Sequence, residues 1–483
     1  MSDSRNKLAA ALVALSLLVA VRFAAAKTKA PAKSRHNVLL IIADDLGFMD
    51  VGANNSRTFY RTPSIDRLAA EGTRFTAAYA ACPVCSPTRA SIMTGRYPPR
   101  TGVTDFINSS GYNQPQKWQR ATRLLPAPYQ DHLALEESTF AERLHSAGFS
   151  TFYAGKWHLG ERKFDPNGQG FGPGLVNVEG SYLPARTPWD RQNDPKQSEQ
   201  IAGAVAKFIE SSGDRPFIAC AALTAVHIPI KARAALVKKY EAAAVALPPT
   251  AWGTERDSRV RLTQSDAAYA AMVEQMDSAV GTMLAALQRR GIADRTAVIF
   301  TSDNGGLSTA QGHPTSNAPL RAGKGWLYEG GIRVPLVIRA PFAARPGLLC
   351  RTPVSSVDLY ATVLELAGAP ADKRPDVDSV SLVPMLDSHR ERGPIYWHYP
   401  HYGDQGGAPA GAVRDGDWKL IEWYEVGAVE LFNVVKDPSE QDNLAQNQPA
   451  KARELLAKLQ VWRKKVGGNM PTVRAGPKGA LQP

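Results

Sequence analysis

Cysteine is scarce. Cys82, Cys85, Cys220 and Cys350 are the only four in 483 residues, which excludes a small disulfide-stapled scaffold; Cys220 and Cys350 read as core residues, and a bridge between them stays open without support. Histidine is sparse too, nine in all. No second CxxC and no nearby histidine pair joins Cys82 and Cys85 to complete a zinc site, although the spacing by itself leaves a redox or metal reading open. No arginine-rich run is interleaved with aromatics, and zinc-finger and helix-turn-helix spacings are missing, which disfavours nucleic acid as a partner. No internal repeat is present. Only one apolar stretch comes close to spanning length, Leu8 to Val21, flanked by Arg5, Lys7 and Arg22 and followed by Phe23-Ala24-Ala25-Ala26. It is short for a membrane span and reads as a secretory signal over residues 1–26, which predicts an exported, periplasmic or extracellular protein with no stable membrane anchor.

What is present is a basic chain, +12 at neutral pH, which suits anionic substrates but fits a merely solvated surface equally well. Val38 to Ala43 is a continuous apolar run, as expected of a strand buried on both faces. Further strands are expected at 150–154, 217–223, 297–301 and 335–339. They alternate with helices near 63–70, 140–147, 199–210, 267–289 and 357–367, for which Thr62, the Thr139/Glu142 capping box and Ser356 supply start signals. The fold class is therefore α/β, a large mixed, mostly parallel sheet sandwiched by helices. From Pro394 onward short strands at 395–399, 412–414, 418–423 and 429–434 and a helix at 450–466 predict a smaller C-terminal antiparallel sheet with one helix. The boundaries are drawn at 27–388 for a catalytic domain and 389–483 for the small one.

Chemistry-bearing residues sit just beyond the apolar runs. Asp44-Asp45 ends the first strand, where two carboxylates would be costly without a cation, unless one merely caps a helix. Asp303-Asn304-Gly305-Gly306 is a second oxygen-rich pair that could also be a plain turn. Together they offer oxygen donors only, which favours a hard cation, Ca²⁺ before Mg²⁺. Lys156 and His158 follow the 150–154 strand, His227 follows the 217–223 strand, and Lys324 lies in Gly323-Lys324-Gly325. If the strands are parallel, Asp44, Asp45, Lys156, His227, Asp303 and Asn304 gather at one carboxyl edge, where α/β folds bind ligands. Pro87 suits a first helical turn, so Cys85 is expected just before a helix that Gly95 ends, with Arg89 one turn along.

The string Cys85-Ser86-Pro87-Thr88-Arg89, continued by Met93-Thr94-Gly95-Arg96, resembles the signature of the type I sulfatases of the alkaline phosphatase superfamily. Gly155-Lys156-Trp157-His158-Leu159-Gly160 and the block from Leu320 to Pro335 resemble two further motifs of that family. The resemblance implies that Cys85 is converted by a maturation enzyme to formylglycine, whose hydrate attacks sulfur. It also implies that Asp44, Asp45, Asp303 and Asn304 hold Ca²⁺ together with residue 85. Arg89, Lys156 and Lys324 would then bind the sulfate, His158 would contact the nucleophile, and His227 or Lys324 would protonate the leaving alcohol. The expected substrate is a sulfated carbohydrate or an aryl sulfate. The rival readings are a formylglycine-dependent phosphodiesterase or phosphonate monoester hydrolase, and an idle glycan-binding homologue. Tyr396-Trp397-His398-Tyr399-Pro400-His401-Tyr402, the loop from Gly403 to Pro409, and Arg414 suggest a sugar-binding wall, or ordinary packing of a half-buried strand.

Overall fold

The computed structural model describes residues 34–177, 188–388 and 390–474, so the expected signal segment 1–26 lies outside the described residues. Eight strands form the main sheet: β1 (Asn37–Ala43), β2 (Thr73–Phe75), β3 (Ser150–Lys156), β4 (Leu175–Asn177), β5 (Phe217–Ala222) and, beyond a separate hairpin of β6 (Trp252–Glu255) and β7 (Ser258–Arg261), β8 (Thr296–Ser302), β9 (Leu336–Arg339) and β10 (Leu348–Cys350). Their order is β10-β2-β9-β8-β1-β5-β3-β4. From β8 to β4 every pairing is parallel. Strand β9 runs against both β8 and β2. The sheet is thus mixed, and its parallel half carries the chemistry.

The unbroken hydrophobic run of β1 follows from burial on both sides. Leu39 and Ile41 face one layer, begun by α1 (Pro63–Glu71); Val38, Leu40 and Ile42 face the opposite layer, begun by α2 (Cys85–Thr94) and α3 (Phe140–Ser146). Helices α4 (Ser198–Ser211) and α5 (Ala267–Arg289) complete the first layer through Ile201, Val205, Met276 and Val280. Helix α6 (Leu359–Leu366) completes the second through Val363 and Leu364. Helix α3 starts on the expected capping box, with Thr139 accepting from the Glu142 amide and the Glu142 carboxylate accepting from the Thr139 amide. Before α6 a 3₁₀ turn, Ser356–Asp358, intervenes; it is capped by Ser355, one position before the expected Ser356, and α6 itself follows from Asp358 without a side-chain cap.

The C-terminal strands β11 (Ile395–Tyr399), β12 (Ala410–Asp415), β13 (Trp418–Trp423) and β14 (Ala428–Asn433) form an antiparallel meander. One face packs on α7 (Pro449–Lys465), whose Leu455, Leu459 and Trp462, with Val466 just after it, form the expected stripe against Val413, Leu420 and Leu431. Trp397, Tyr399 and Phe432 on the other face pack with Tyr79, Trp326 and Tyr328 from loops of the large sheet. Lys419 of β13 is fully buried between Glu329 (3.1 Å) and Glu440 (2.8 Å). Glu440 also accepts from the Glu329 amide, so this ionic cluster ties the small sheet to the segment that follows Lys324. All four cysteines are free and buried; Cys220 and Cys350 are core residues without a bridge. No helix among the described residues is long and apolar enough to cross a membrane.

Candidate active site

The register of the parallel strands sets the site. Ala43 of β1 lies beside Ser302 of β8, Ile42 beside Ala222 of β5, and Ala222 beside Gly155 of β3. The residues that follow, Asp44-Asp45, Asp303-Asn304, His227 and Lys156, therefore emerge together at one carboxyl edge. Gly155 is required there: its φ is +107°, and a Cβ would lie 1.9 Å from the Ala222 carbonyl oxygen. Asp45 and His158 themselves adopt positive φ, 64° and 59°, a conformation that non-glycine residues hold only where the surroundings enforce it.

Helix α2 begins at Cys85 itself, with Val84 extended as the cap. Pro87 lies in the first turn as expected, but Cys85, expected just before the helix, occupies its first position, where backbone amides lack helical partners. Thr88 fixes this turn by accepting from the Cys82 amide and donating to the Cys82 carbonyl, and Gly95 closes the helix at φ 70°. Cys85 is buried, 3% exposed, and burial pushes its thiol up despite Lys156 and Lys324. Its Sγ lies 3.2 Å from His158 Nδ1, while His158 Nε2 lies 2.7 Å from the Ile107 carbonyl oxygen. That carbonyl can only accept, so Nε2 carries the proton and Nδ1 presents a lone pair to residue 85. Burial, reinforced by Lys156, holds His158 well below the ordinary histidine range, hence neutral.

Three buried carboxylates face three buried cations. Lys156 Nζ bonds Asp44 at 2.7 Å, Lys324 Nζ lies 2.8 and 2.9 Å from the two Asp45 oxygens, and Arg89 Nε donates to Asp303 Oδ2 at 2.8 Å, with Nη2 2.7 Å from the same oxygen as an ion pair. Against the burial that would push them up, Lys156 and Lys324 hold Asp44 and Asp45 below the usual carboxylate range. For Asp303 burial wins over Arg89 and lifts it to about 6. Asn304 Nδ2 donates to Asp45 Oδ1 at 2.8 Å. Two buried oxygens, Asp44 Oδ1 and Asn304 Oδ1, have no hydrogen-bond partner, a costly arrangement unless a cation takes them. Asp44, Asp45 and His227 also bring ligand atoms within 4.8 Å of one another. Oxygen-rich and anionic, this set fits a hard cation, calcium before magnesium.

A cavity of about 300 Å³ opens on these groups, with Cys85, Lys156, His158, His227 and Lys324 at its floor. Arg89 differs from expectation. It is 1% exposed, its third contact is the Lys156 carbonyl at 2.7 Å, and it does not line the cavity; it braces Asp303 and the Lys156 backbone from behind. His227 Nδ1 lies 2.8 Å from the Ile228 carbonyl oxygen, so Nδ1 is the protonated nitrogen and the bare Nε2 sits 3.7 Å from Asp45.

The expected sugar wall needs correction. His398 is 2% exposed, bonded to the Tyr424 hydroxyl and the Asn469 carbonyl; His401 is fully buried beside Thr104. Arg414 is buried against Tyr79 and the Gly416 carbonyl, and its Ile395 partner on β11 lies at the end of that strand remote from Tyr399. None of the three lines the cavity. The loop between His401 and Arg414 does, through Asp404 and Gln405, opposite Phe106, Asn108 and Tyr112. The Gly403 to Pro409 loop was visible in the sequence, but nothing distinguished Asp404 within it. Lys196 was missed as well: it is 2% exposed and its ammonium donates to the His227 carbonyl. No motif surrounds it.

A family model described as sulfatase matches residues 36–369. The chain belongs to the sulfatase family. A second model, described as N-sulphoglucosamine sulphohydrolase, C-terminal, matches residues 322–465. A sulfatase of Formosa agariphila is 31% identical over 95% of this chain and 94% of its own, and human arylsulfatase A is 30% identical over 92% and 89%. Among solved structures, Ps i-CgsB in complex with k-i-k-neocarrahexaose aligns with a TM-score of 0.74 at 26% identity, covering 90% of this sulfatase and 95% of that chain. The phosphonate monoester hydrolase of Agrobacterium radiobacter aligns at 0.64 and 22%, a likeness of fold alone. The architecture is that of the alkaline-phosphatase-like sulfatases, and the activity is hydrolysis of sulfuric esters.

Proposed function

We propose that this sulfatase removes sulfate from a sulfated carbohydrate, and from aryl sulfates, using a formylglycine made from Cys85 and a calcium ion held by Asp44, Asp45, Asp303 and Asn304 with residue 85. The observation that carries the reading is the pair of unpartnered buried oxygens, Asp44 Oδ1 and Asn304 Oδ1, in a carboxylate cluster beside the head of α2. When present, formylglycine supplies an oxygen nucleophile that can release sulfate again, and calcium a Lewis acid and template. Around them the side chains divide the work. Lys156 and Lys324 hold the sulfate oxygens at the cavity floor. His158 Nδ1, kept unprotonated by the Nε2 contact to Ile107, takes a proton from residue 85. Lys324, an ammonium with three donors, protonates the leaving oxygen, because the Nδ1 contact of His227 leaves its Nε2 without a proton to give. Arg89 opposes the burial that lifts Asp303 and holds its carboxylate in place.

The start of the chain supports export, and maturation then calls for a formylglycine-generating enzyme as a transient partner. The motif-bearing part is assigned to 27–388 and the small sheet with α7 to 389–483. The carbohydrate reading is supported by the carrahexaose complex of Ps i-CgsB. Coexpression with a maturation enzyme, followed by mass spectrometry of the Cys85 peptide and calcium analysis, tests it. The expected result is an aldehyde at residue 85, one bound calcium, and release of sulfate from 4-nitrophenyl sulfate outpacing attack on the matching phosphonate ester. Full activity with an intact thiol would refute the mechanism.

A further inference from the structure

Above its cationic floor the cavity wall is neutral except at one point. Asp404 is the only carboxylate among the described residues that line it. It is held rather than loose: the Tyr112 hydroxyl donates to Oδ2, and Arg120 Nη1 lies 3.7 Å from Oδ1. Arg120 is itself 45% exposed and stacked over Trp118, so it offsets the carboxylate from the solvent side. A carboxylate has about four acceptor positions, and these two contacts leave some of them open. Beside it Gln405, 5% exposed, has an unpartnered Oε1, and its Nε2 lies 3.4 Å from Gln311 Oε1. This part of the wall therefore presents the Asp404 carboxylate together with the Asn108 and Gln311 amides to sugar hydroxyls, whereas Gln405 Oε1 is buried behind it. A second anionic group on the same sugar would meet Asp404 inside a confined, partly desolvated space, where like charges cost several kcal/mol.

We infer that Asp404 sets specificity: it accepts hydrogen bonds from hydroxyls of the sulfated sugar and turns away a sugar carrying a second sulfate or a carboxylate. This rests on the carbohydrate sulfatase reading above. The cavity, about 300 Å³, is at the small end for ligand sites, so the group selected belongs to a single sugar ring at a chain end.

The test compares matured wild type, Asp404→Asn and Arg120→Ala on N-acetylgalactosamine 6-sulfate against its 4,6-disulfate, and on glucosamine 6-sulfate against the N,6-disulfate, with 4-nitrophenyl sulfate as a sugar-free reference. The quantity read is the ratio of kcat/KM for disulfated over monosulfated sugar within each protein, which cancels differences in active fraction. Asp404→Asn should raise that ratio by about tenfold or more, the equivalent of ~1.4 kcal/mol, and Arg120→Ala, which unmasks the carboxylate, should lower it. Should Asp404→Asn fold poorly, the Arg120→Ala shift alone decides. Ratios unchanged within twofold, or a wild type that prefers the disulfated sugars, overturn the role of Asp404 while leaving the sulfatase reading intact. Turnover of 4-nitrophenyl sulfate with none of any sugar overturns the carbohydrate reading and this inference with it.

Discussion

Replacing Lys324 with methionine should move calcium binding and turnover in opposite directions. In the structure the three carboxylates Asp44, Asp45 and Asp303 are balanced by Lys156, Lys324 and Arg89, all buried. Lys324 Nζ sits 2.8 and 2.9 Å from the two Asp45 oxygens, occupying the side of the carboxylate that a cation would share. Two unit charges 2.8 Å apart attract by about 6 kcal/mol at an effective dielectric of about 20. Calcium must weaken that contact and also accept a cationic neighbour. Close charge pairs couple by roughly 1.5–7 kcal/mol, so even the low end predicts calcium binding tighter by about tenfold in Lys324→Met. Turnover should fall by about 10²–10³, the usual loss when a stabiliser of transition-state charge is removed. Titration calorimetry of calcium into chelator-stripped protein, paired with steady-state hydrolysis of 4-nitrophenyl sulfate, reads both. Calcium affinity that falls together with turnover would mean that Lys324 supports the metal site instead of competing for it, and would refute the reasoning.

Two further outcomes follow from buried charge. Asp105 accepts from the Phe106 amide, Asn113 and Tyr399 beneath the cavity wall, yet burial lifts it to about 7. Its folded value lies above its ordinary one, so the stability it contributes is present below about pH 4 and is lost as pH rises through about 7; Asp105→Asn should flatten that part of a Tm-against-pH profile, and an unchanged slope would contradict the assignment. Lys419→Met leaves Glu329 and Glu440 buried without their cation, a loss of about 3–5 kcal/mol. At roughly 2 cal/mol/K of unfolding entropy per residue over the folded chain, Tm should drop by about 4 °C in calorimetry, and adding Glu440→Gln should recover part of it.

The sequence alone determined the fold class and nearly every group at the cavity floor, because each had a local physical signature. A strand buried on both faces must be continuously apolar, so Val38 to Ala43 could be placed without knowing its neighbours. Strand β8 was nearly as plain, and the residues just past each run had to reach a sheet edge. The motif around Cys85 is contiguous in the chain and needs no tertiary information. What the sequence left undecided depended on partners far along the chain. Arg89 reads as a sulfate ligand until Asp303, 214 residues away, is seen to occupy it. His398 and His401 look like candidates for binding until both are seen in the interior, His398 held by Tyr424 and Asn469 and His401 against Thr104. Asp404 and Lys196 carry no motif, since a carboxylate in a glycine-rich loop or a lysine after Asp194-Pro195 acquires meaning only from what it faces. Strand polarity behaves the same way: the run from Leu336 to Arg339 is as apolar as its neighbours, and only hydrogen bonding to Val298 through Thr301 makes it antiparallel. Hydrophobic periodicity reports which residues leave water, whereas pairing, direction and the partner of each buried charge are settled by long-range geometry that no local pattern encodes.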